Sequence, residues 1–113
     1  MRKIPMRLRM ELKRDQFYRR CVFDCPDCQG KVEWEHALLY KGQQVNTRFA
    51  IIPCCTYHHR GEGLNKQKNM WVALNRMVDK DFQTFWKAEA MWRQLRNYLN
   101  KLYGEYREPT VYR

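Results

Sequence analysis

Two pairs of metal-binding side chains, each separated by two residues, carry the first chemical signal in this sequence. Cys25-Pro26-Asp27-Cys28 is followed about thirty residues later by Cys55-Thr56-Tyr57-His58. Thiolate sulfur and imidazole nitrogen are the ligands Zn²⁺ favours, and four of them complete a closed tetrahedral site of the structural kind. Pro26 and Gly30 let the backbone turn tightly around the first pair, so that amides can point at the sulfurs. The second pair is ambiguous by one residue, because Cys54 and His59 adjoin it. The two-residue gap favours Cys55 and His58. Cys21 competes with the first pair, since Cys21-x-x-x-Cys25 is also short. Its neighbours Val22 and Phe23 suggest a buried small hydrophobe instead. The expected structural zinc ligands are therefore Cys25, Cys28, Cys55 and His58.

Three polar groups remain beside that frame. Glu35-His36 follows the first pair, and His59 follows the second. A carboxylate and an imidazole can hold a divalent ion with open positions. An imidazole left unliganded can take a proton from water near neutral pH. Together these groups suit hydrolysis of a phosphodiester, which needs an activated water and neutralised charge on the phosphate.

The elements that must position these groups follow from periodicity and turn signals. Apolar residues from Met6 through Leu8, Leu12 and Tyr18 predict a helix over 6–18, with Pro5 before its first turn and its arginines outward. Val32 and Trp34 alternate with polar neighbours, which predicts a strand over 31–36. Adjacent strand residues face opposite sides, so Glu35 and His36 serve one centre only if the strand ends there. Lys41-Gly42-Gln43-Gln44 is a polar turn, and 48–52 is the returning apolar segment, which Pro53 is expected to stop. Asn65 caps a predicted helix over 66–78. Asp79-Lys80-Asp81 is a break, and a last helix runs over 81–103, with Gly104 as its C-cap and Pro109 beyond. Phe85, Ala88, Trp92, Leu95, Leu99 and Leu102 form its core stripe. Phe82, Trp86, Met91 and Tyr98 widen that stripe, and its Trp86, Met91 and Tyr98 side is the candidate homodimer interface.

The chain has 113 residues, 44% of them hydrophobic, which suits one α+β, mainly helical domain over 1–113. Within it, 1–20 reads as a basic helical arm, 21–70 as the zinc core, 71–104 as the helical C-terminal part and 105–113 as a tail. A net charge of +10 points to a polyanionic partner, with DNA the expectation. Arg7, Arg14, Lys41 and Arg60 are candidate phosphate contacts. Five cysteines cannot all pair as disulfides, and their clustering with histidine points to a reducing compartment. No secretory-signal pattern and no apolar run of about 20 residues is present. The expected location is the cytoplasm, at the nucleoid when bound to DNA.

Taken as a set, Cys25-x-x-Cys28, Glu35-His36 and Pro53-x-Cys55-x-x-His58-His59 resemble the zinc-ribboned HNH endonucleases. In size and basicity the chain is similar to the phage-type Holliday-junction resolvases of that group. The resemblance covers about 21–70. It implies a ββα-metal fold and a nick that leaves a 5′-phosphate and a 3′-hydroxyl, with Mg²⁺ or Mn²⁺ as the catalytic cofactor. His36 would be the general base, with Glu35 and His59 as ligands of the catalytic ion. Cys25, Cys28, Cys55 and His58 would hold the structural zinc, with His58 in place of the usual cysteine. Branched DNA would be the substrate, cut by a dimer. Ala50 stands where the family carries an asparagine that orients the histidine; Asn46 lies four residues earlier. Gly63 stands where some branches have a further ligand. The other reading of the same residues is a zinc-stabilised module that binds nucleic acid without cutting it.

Overall fold

The computed structural model describes residues 3–108. Its centre is an antiparallel pair of strands, β1 (Val32–His36) and β4 (Ile51–Cys55). Their register sets Val32 opposite Cys55, Glu33 opposite Cys54, Trp34 opposite Pro53, Glu35 opposite Ile52 and His36 opposite Ile51. β4 is buried along its whole length, as expected of the strand that fills the core. It also runs through Pro53, where the sequence predicts a stop. In a two-stranded sheet each strand has one unpaired edge, and a proline is tolerated when its missing N–H falls there. The Pro53 carbonyl is not idle, since it accepts from the Val22 amide at 2.8 Å.

Between these strands the chain makes a small excursion. β2 (Leu39–Tyr40) and β3 (Gln43–Gln44) form a two-residue hairpin. Lys41 and Gly42 both take positive φ, 52° and 77°, as the tight hairpin turn requires. The segment 48–50, expected to be extended, is a short 3₁₀ turn, and the return strand begins only at Ile51.

The N-terminal helix α1 (Met6–Arg14) is shorter than periodicity predicts. Asp15 leaves helical geometry and its carboxylate accepts the Phe17 amide, which starts a separate 3₁₀ turn over Gln16–Arg19. Leu8 and Leu12 are buried on one face of α1, while Met6 and Met10 are exposed on the other. Phe17 and Tyr18 are buried too, but from the 3₁₀ turn. The Tyr18 hydroxyl lies against the carbonyls of Arg48 and Ile51 and accepts from Arg76 at 2.8 Å. Burial pushes that phenol up to about 12, so it stays protonated and can donate.

After β4 come α2 (Thr56–Arg60), α3 (Lys66–Arg76), α4 (Asp79–Thr84) and α5 (Trp86–Tyr103). Asn65 caps α3 as expected, its side chain accepting from the Lys68 amide at 3.1 Å. The predicted single last helix is two. Asp81 accepts the Val78 amide at the start of α4, and Phe85 breaks the helix, its ring against Tyr40 and Trp92. Gly104, at φ 91°, ends α5. Pro109 lies outside the described residues, and 105–108 carry no regular structure. α3 and α5 pack together and close the core over β4. Ala88, Trp92 and Leu99 turn inward from α5, whereas Trp86, Met91, Tyr98 and Leu102 face out. The result is an α+β fold, about half helical, with two small antiparallel sheets. Among the described residues no helix is long and apolar enough to cross a membrane.

Leu12→Ala should cost about 2–5 kcal/mol, as deletion of a fully buried leucine does. Met10→Ala, on the opposite face of α1, should stay within about 0.5 kcal/mol. Urea unfolding of the two variants in the same buffer measures both.

Candidate functional site

The cysteine–histidine cluster forms where three segments meet: the loop before β1, the end of β4 and the start of α2. The side chains of Cys21, Cys28, Cys55 and His58 bring their ligand atoms within 4.8 Å of one another. His58 Nδ1 stands 3.6 Å from Cys21 Sγ, 3.7 Å from Cys28 Sγ and 3.1 Å from Cys55 Sγ. Tetrahedral zinc with ordinary bond lengths would set sulfur and nitrogen about 3.6 Å apart. Three thiols and one imidazole at this spacing fit Zn²⁺ in both chemistry and size.

Cys21 therefore takes the place that the sequence assigns to Cys25. The Cys25 sulfur lies instead 3.6 Å from Nε2, on the other side of the His58 ring. One imidazole nitrogen can face the cluster, and the three sulfurs grouped around Nδ1 decide which. Nε2 must then carry the ring proton, and Cys25 is placed to accept it. That contact fixes the tautomer, a role commonly filled by a second layer of side chains around metal sites. Cys25 supports the cluster in a further way, since its amide donates to Cys28 Sγ at 3.4 Å. This is the amide-to-thiolate contact expected of the Cys-Pro-Asp-Cys turn. Cys21 carries little local signal, because the six residues between it and Cys28 match no short ligand spacing.

The thiols differ in character. Desolvation pushes Cys28 up to about 12. At Cys55 desolvation also pushes upward, but hydrogen bonds led by the His58 and Gln29 backbone amides outweigh it and bring the thiol down to about 6. Cys54 is fully buried and its thiol is pushed upward by desolvation. The choice between Cys54 and Cys55 is settled by strand alternation, which turns Cys55 to the cluster and Cys54 into the core.

On the other side of α2, His59 reaches β1. Its Nδ1 lies 2.6 Å from Glu33 Oε1, and its Nε2 lies 3.3 Å from Glu35 Oε1. Glu33 and Glu35 are two apart on one strand and so share a face. The His59 hydrogen bond, together with those from Thr56 and Arg60, holds the Glu33 carboxyl below its usual range against a smaller desolvation effect. With Nδ1–H donated to Glu33, Nε2 is free to face the same point as Glu35 Oε1. Two ligands of one octahedral ion, at right angles and about 2.1 Å from it, would stand about 3.0 Å apart. The observed separation suits such a pair. The remaining Glu35 oxygen accepts from Asn69 Nδ2 at 3.1 Å and pairs with Lys66 Nζ at 3.5 Å, both from α3.

β1 ends at His36. The His36 Nε2 lies 2.7 Å from Asn46 Oδ1. The Asn46 amide is oriented in turn, because its Nδ2 donates to the Lys3 carbonyl at 3.0 Å. Oδ1 can only accept, so His36 Nε2 carries the proton and Nδ1 is left with its lone pair. An apolar-walled cavity of about 390 Å³ lies at this end of β1, lined by His36 and by Lys66 and Asn69, which hold Glu35.

Of the expected phosphate contacts, Arg7 and Arg14 are exposed on α1, seven residues apart, and line one shallow depression with Met6, Met10 and Glu11. Lys41 is exposed at the hairpin turn, near the Tyr40 ring. Arg60 differs, since its guanidinium pairs with Glu33 at 2.9 Å. Three residues of the site escape the sequence reading, Glu33, Lys66 and Asn69, while Cys21 is weighed there and set aside as a core residue. Glu33 had a usable signal, being two residues before Glu35 on a predicted strand.

The chain matches no protein-family model, no curated protein and no solved structure.

Cys21→Ser should lose zinc affinity sharply, whereas Cys25→Ser should keep one zinc per chain. Metal analysis after dialysis against a moderate chelator compares the two. Equal retention in both variants would contradict the assignment of Cys21. Stripping the zinc with excess chelator should unfold the region around β1 and α2, seen as loss of near-ultraviolet circular dichroism, because site formation and folding are one equilibrium.

Proposed function

We propose that this protein is a metal-dependent endonuclease of the HNH type that hydrolyses DNA phosphodiester bonds. The observation that carries the proposal is the placement of His59 between Glu33 and Glu35, with Nε2 and a Glu35 oxygen 3.3 Å apart. Support comes also from the order of elements: two antiparallel strands followed by a short helix, with a Cys/His cluster at its base. That order is what a zinc-bearing ββα-metal core requires.

In this proposal the chain's own groups divide the work. His36 Nδ1 takes the proton of the attacking water, and Asn46 holds the ring in the tautomer that leaves this nitrogen basic. Asn46 thereby does the orienting that Ala50 cannot do. Glu35 and His59 would hold Mg²⁺ or Mn²⁺, which supplies charge neutralisation at the scissile phosphate and the leaving oxygen. Glu33 keeps His59 turned toward that position, and Lys66 and Asn69 keep Glu35 there. Zn²⁺ at Cys21, Cys28, Cys55 and His58 holds α2 against β1 and so fixes His59. Arg7, Arg14 and Lys41 bind backbone phosphates without reading sequence, which favours a substrate chosen by shape, such as a Holliday junction. The exposed Trp86 and Tyr98 on α5 offer a surface for the homodimer that cutting two strands of a junction needs.

A second reading is favoured by one feature. Glu33, Glu35, His59, Arg60 and Lys66 already form a mutually paired network without a second metal. A zinc-stabilised module that binds nucleic acid without cutting it would need no more.

Purified protein with Mg²⁺ or Mn²⁺ and labelled four-way junction, duplex and single strand separates the two. Cleavage should appear with either metal, best on the junction. His36→Ala should keep zinc and DNA binding while cleavage falls about 10²–10⁴-fold. Glu33→Gln should raise the Mg²⁺ concentration needed for half-maximal cleavage about 10–100-fold, as loss of an outer-layer partner does. Tight binding with no metal-dependent cleavage of any form would leave the non-catalytic module.

A further inference from the structure

The cavity beside His36 is larger and more apolar than a phosphodiester needs. Its volume of about 390 Å³ falls within the about 300–1,000 Å³ usual for small organic ligands. Its lining combines polar His36, Lys66 and Asn69 with apolar Leu39, Met91 and Leu95. Leu39 and Met91 are 63% and 62% exposed, although both are large and apolar. Neither exposure helps the fold, since burial is what such side chains contribute.

Asn69 supplies this lining with an unpaired acceptor. The residue is completely buried, and its Nδ2 is used on Glu35. Its Oδ1 is buried with no hydrogen-bond partner. An acceptor left this way is costly, so a native site that keeps one invites a donor. The ligand that fits therefore has a flat or compact apolar face, an N–H donor at one edge, and an attachment that places it next to His36.

We infer that this cavity receives the unpaired base of the nucleotide adjoining the scissile phosphate, with Asn69 Oδ1 accepting from an N–H of that base. The inference rests on the nuclease reading for its location and adds the substrate feature that the site selects. A stacked, paired base has both faces covered and cannot enter an apolar-walled pocket. A base at a junction, bulge or single-stranded flank is already unstacked, so the cost of extruding it is small. Apolar and aromatic walls accept any base face, which suits a protein that chooses shape over sequence. Met91 and Leu95 lie on α5 and Leu39 on the β2–β3 hairpin, so the pocket also ties the C-terminal helix and the hairpin to the substrate.

The test uses the zinc-loaded full chain without added Mg²⁺ or Mn²⁺. The probe is DNA carrying 2-aminopurine, either as a single unpaired base or within a paired duplex. On binding wild-type protein, the unpaired probe should change its emission at least about twofold, and the paired probe should not. Leu39→Trp and Met91→Trp each fill the pocket from an exposed position. Both should abolish the emission change and weaken binding of the unpaired form about tenfold, while duplex affinity holds. Zinc content and circular dichroism establish that each variant is folded, and either folded variant alone suffices. An unchanged emission response in a folded variant overturns the inference, as does a wild type that binds the unpaired probe with no response. Metal-dependent cleavage without that response would leave the nuclease standing and remove the base pocket. The response without cleavage would leave the pocket standing and remove the nuclease. No binding to either DNA overturns both.

Discussion

Everything in this molecule that could do chemistry depends on the register of β1 against β4. The pairing of Glu33 with Cys54, Glu35 with Ile52 and Val32 with Cys55 assigns each side chain to a face. A slip of one residue would exchange every face at once. The carboxylates would then turn away from His59, and Cys55 would leave the thiol cluster. Burial of all five residues of β4 makes that slip expensive, because it would drive Glu33 and Glu35 off their partners without improving the core.

The consequence is a division of adjacent residues. Cys54 goes to the core and Cys55 to the cluster. His58 offers Nδ1 to three sulfurs, while His59, one step along α2, reaches two carboxylates. Glu35 and His36 part in the same way, one toward α3 and the other toward Asn46. The five-residue helix α2 thus carries one histidine to the thiol cluster and the next to the carboxylates. A zinc ion in the cluster would anchor that helix, so a structural site would set the position of a ligand for the second.

The sequence made the type of most elements legible and their ends less so. Asn65 announces α3 through a cap that is present in the structure, and Gly104 ends α5 as its type suggests. The single helix expected over 81–103 is divided because Phe85 turns its ring into a contact with Tyr40 of the β2–β3 hairpin, 45 residues away. Likewise α1 stops early because Asp15 is engaged with the Phe17 amide and with Arg48, 33 residues away. These ends are decided by partners that no local window contains.

The composition of the site followed the same line. Residue types and short spacings sufficed to select Cys28, Cys55 and His58 of the cluster, because metal chemistry constrains ligand type and a strand or helix constrains spacing. Which cysteine completes the cluster was a tertiary matter. Cys21 and Cys25 are equally capable ligands, and only the orientation of the His58 ring places one at Nδ1 and the other at Nε2. The partner of His36 was tertiary as well. Asn46 arrives through a hairpin whose path depends on the Lys41-Gly42 turn, and the Lys3 carbonyl decides which face of its amide it presents. Spacing along the chain could therefore nominate candidate ligands and polar groups, whereas ring orientation and tautomer depend on contacts between segments far apart in sequence.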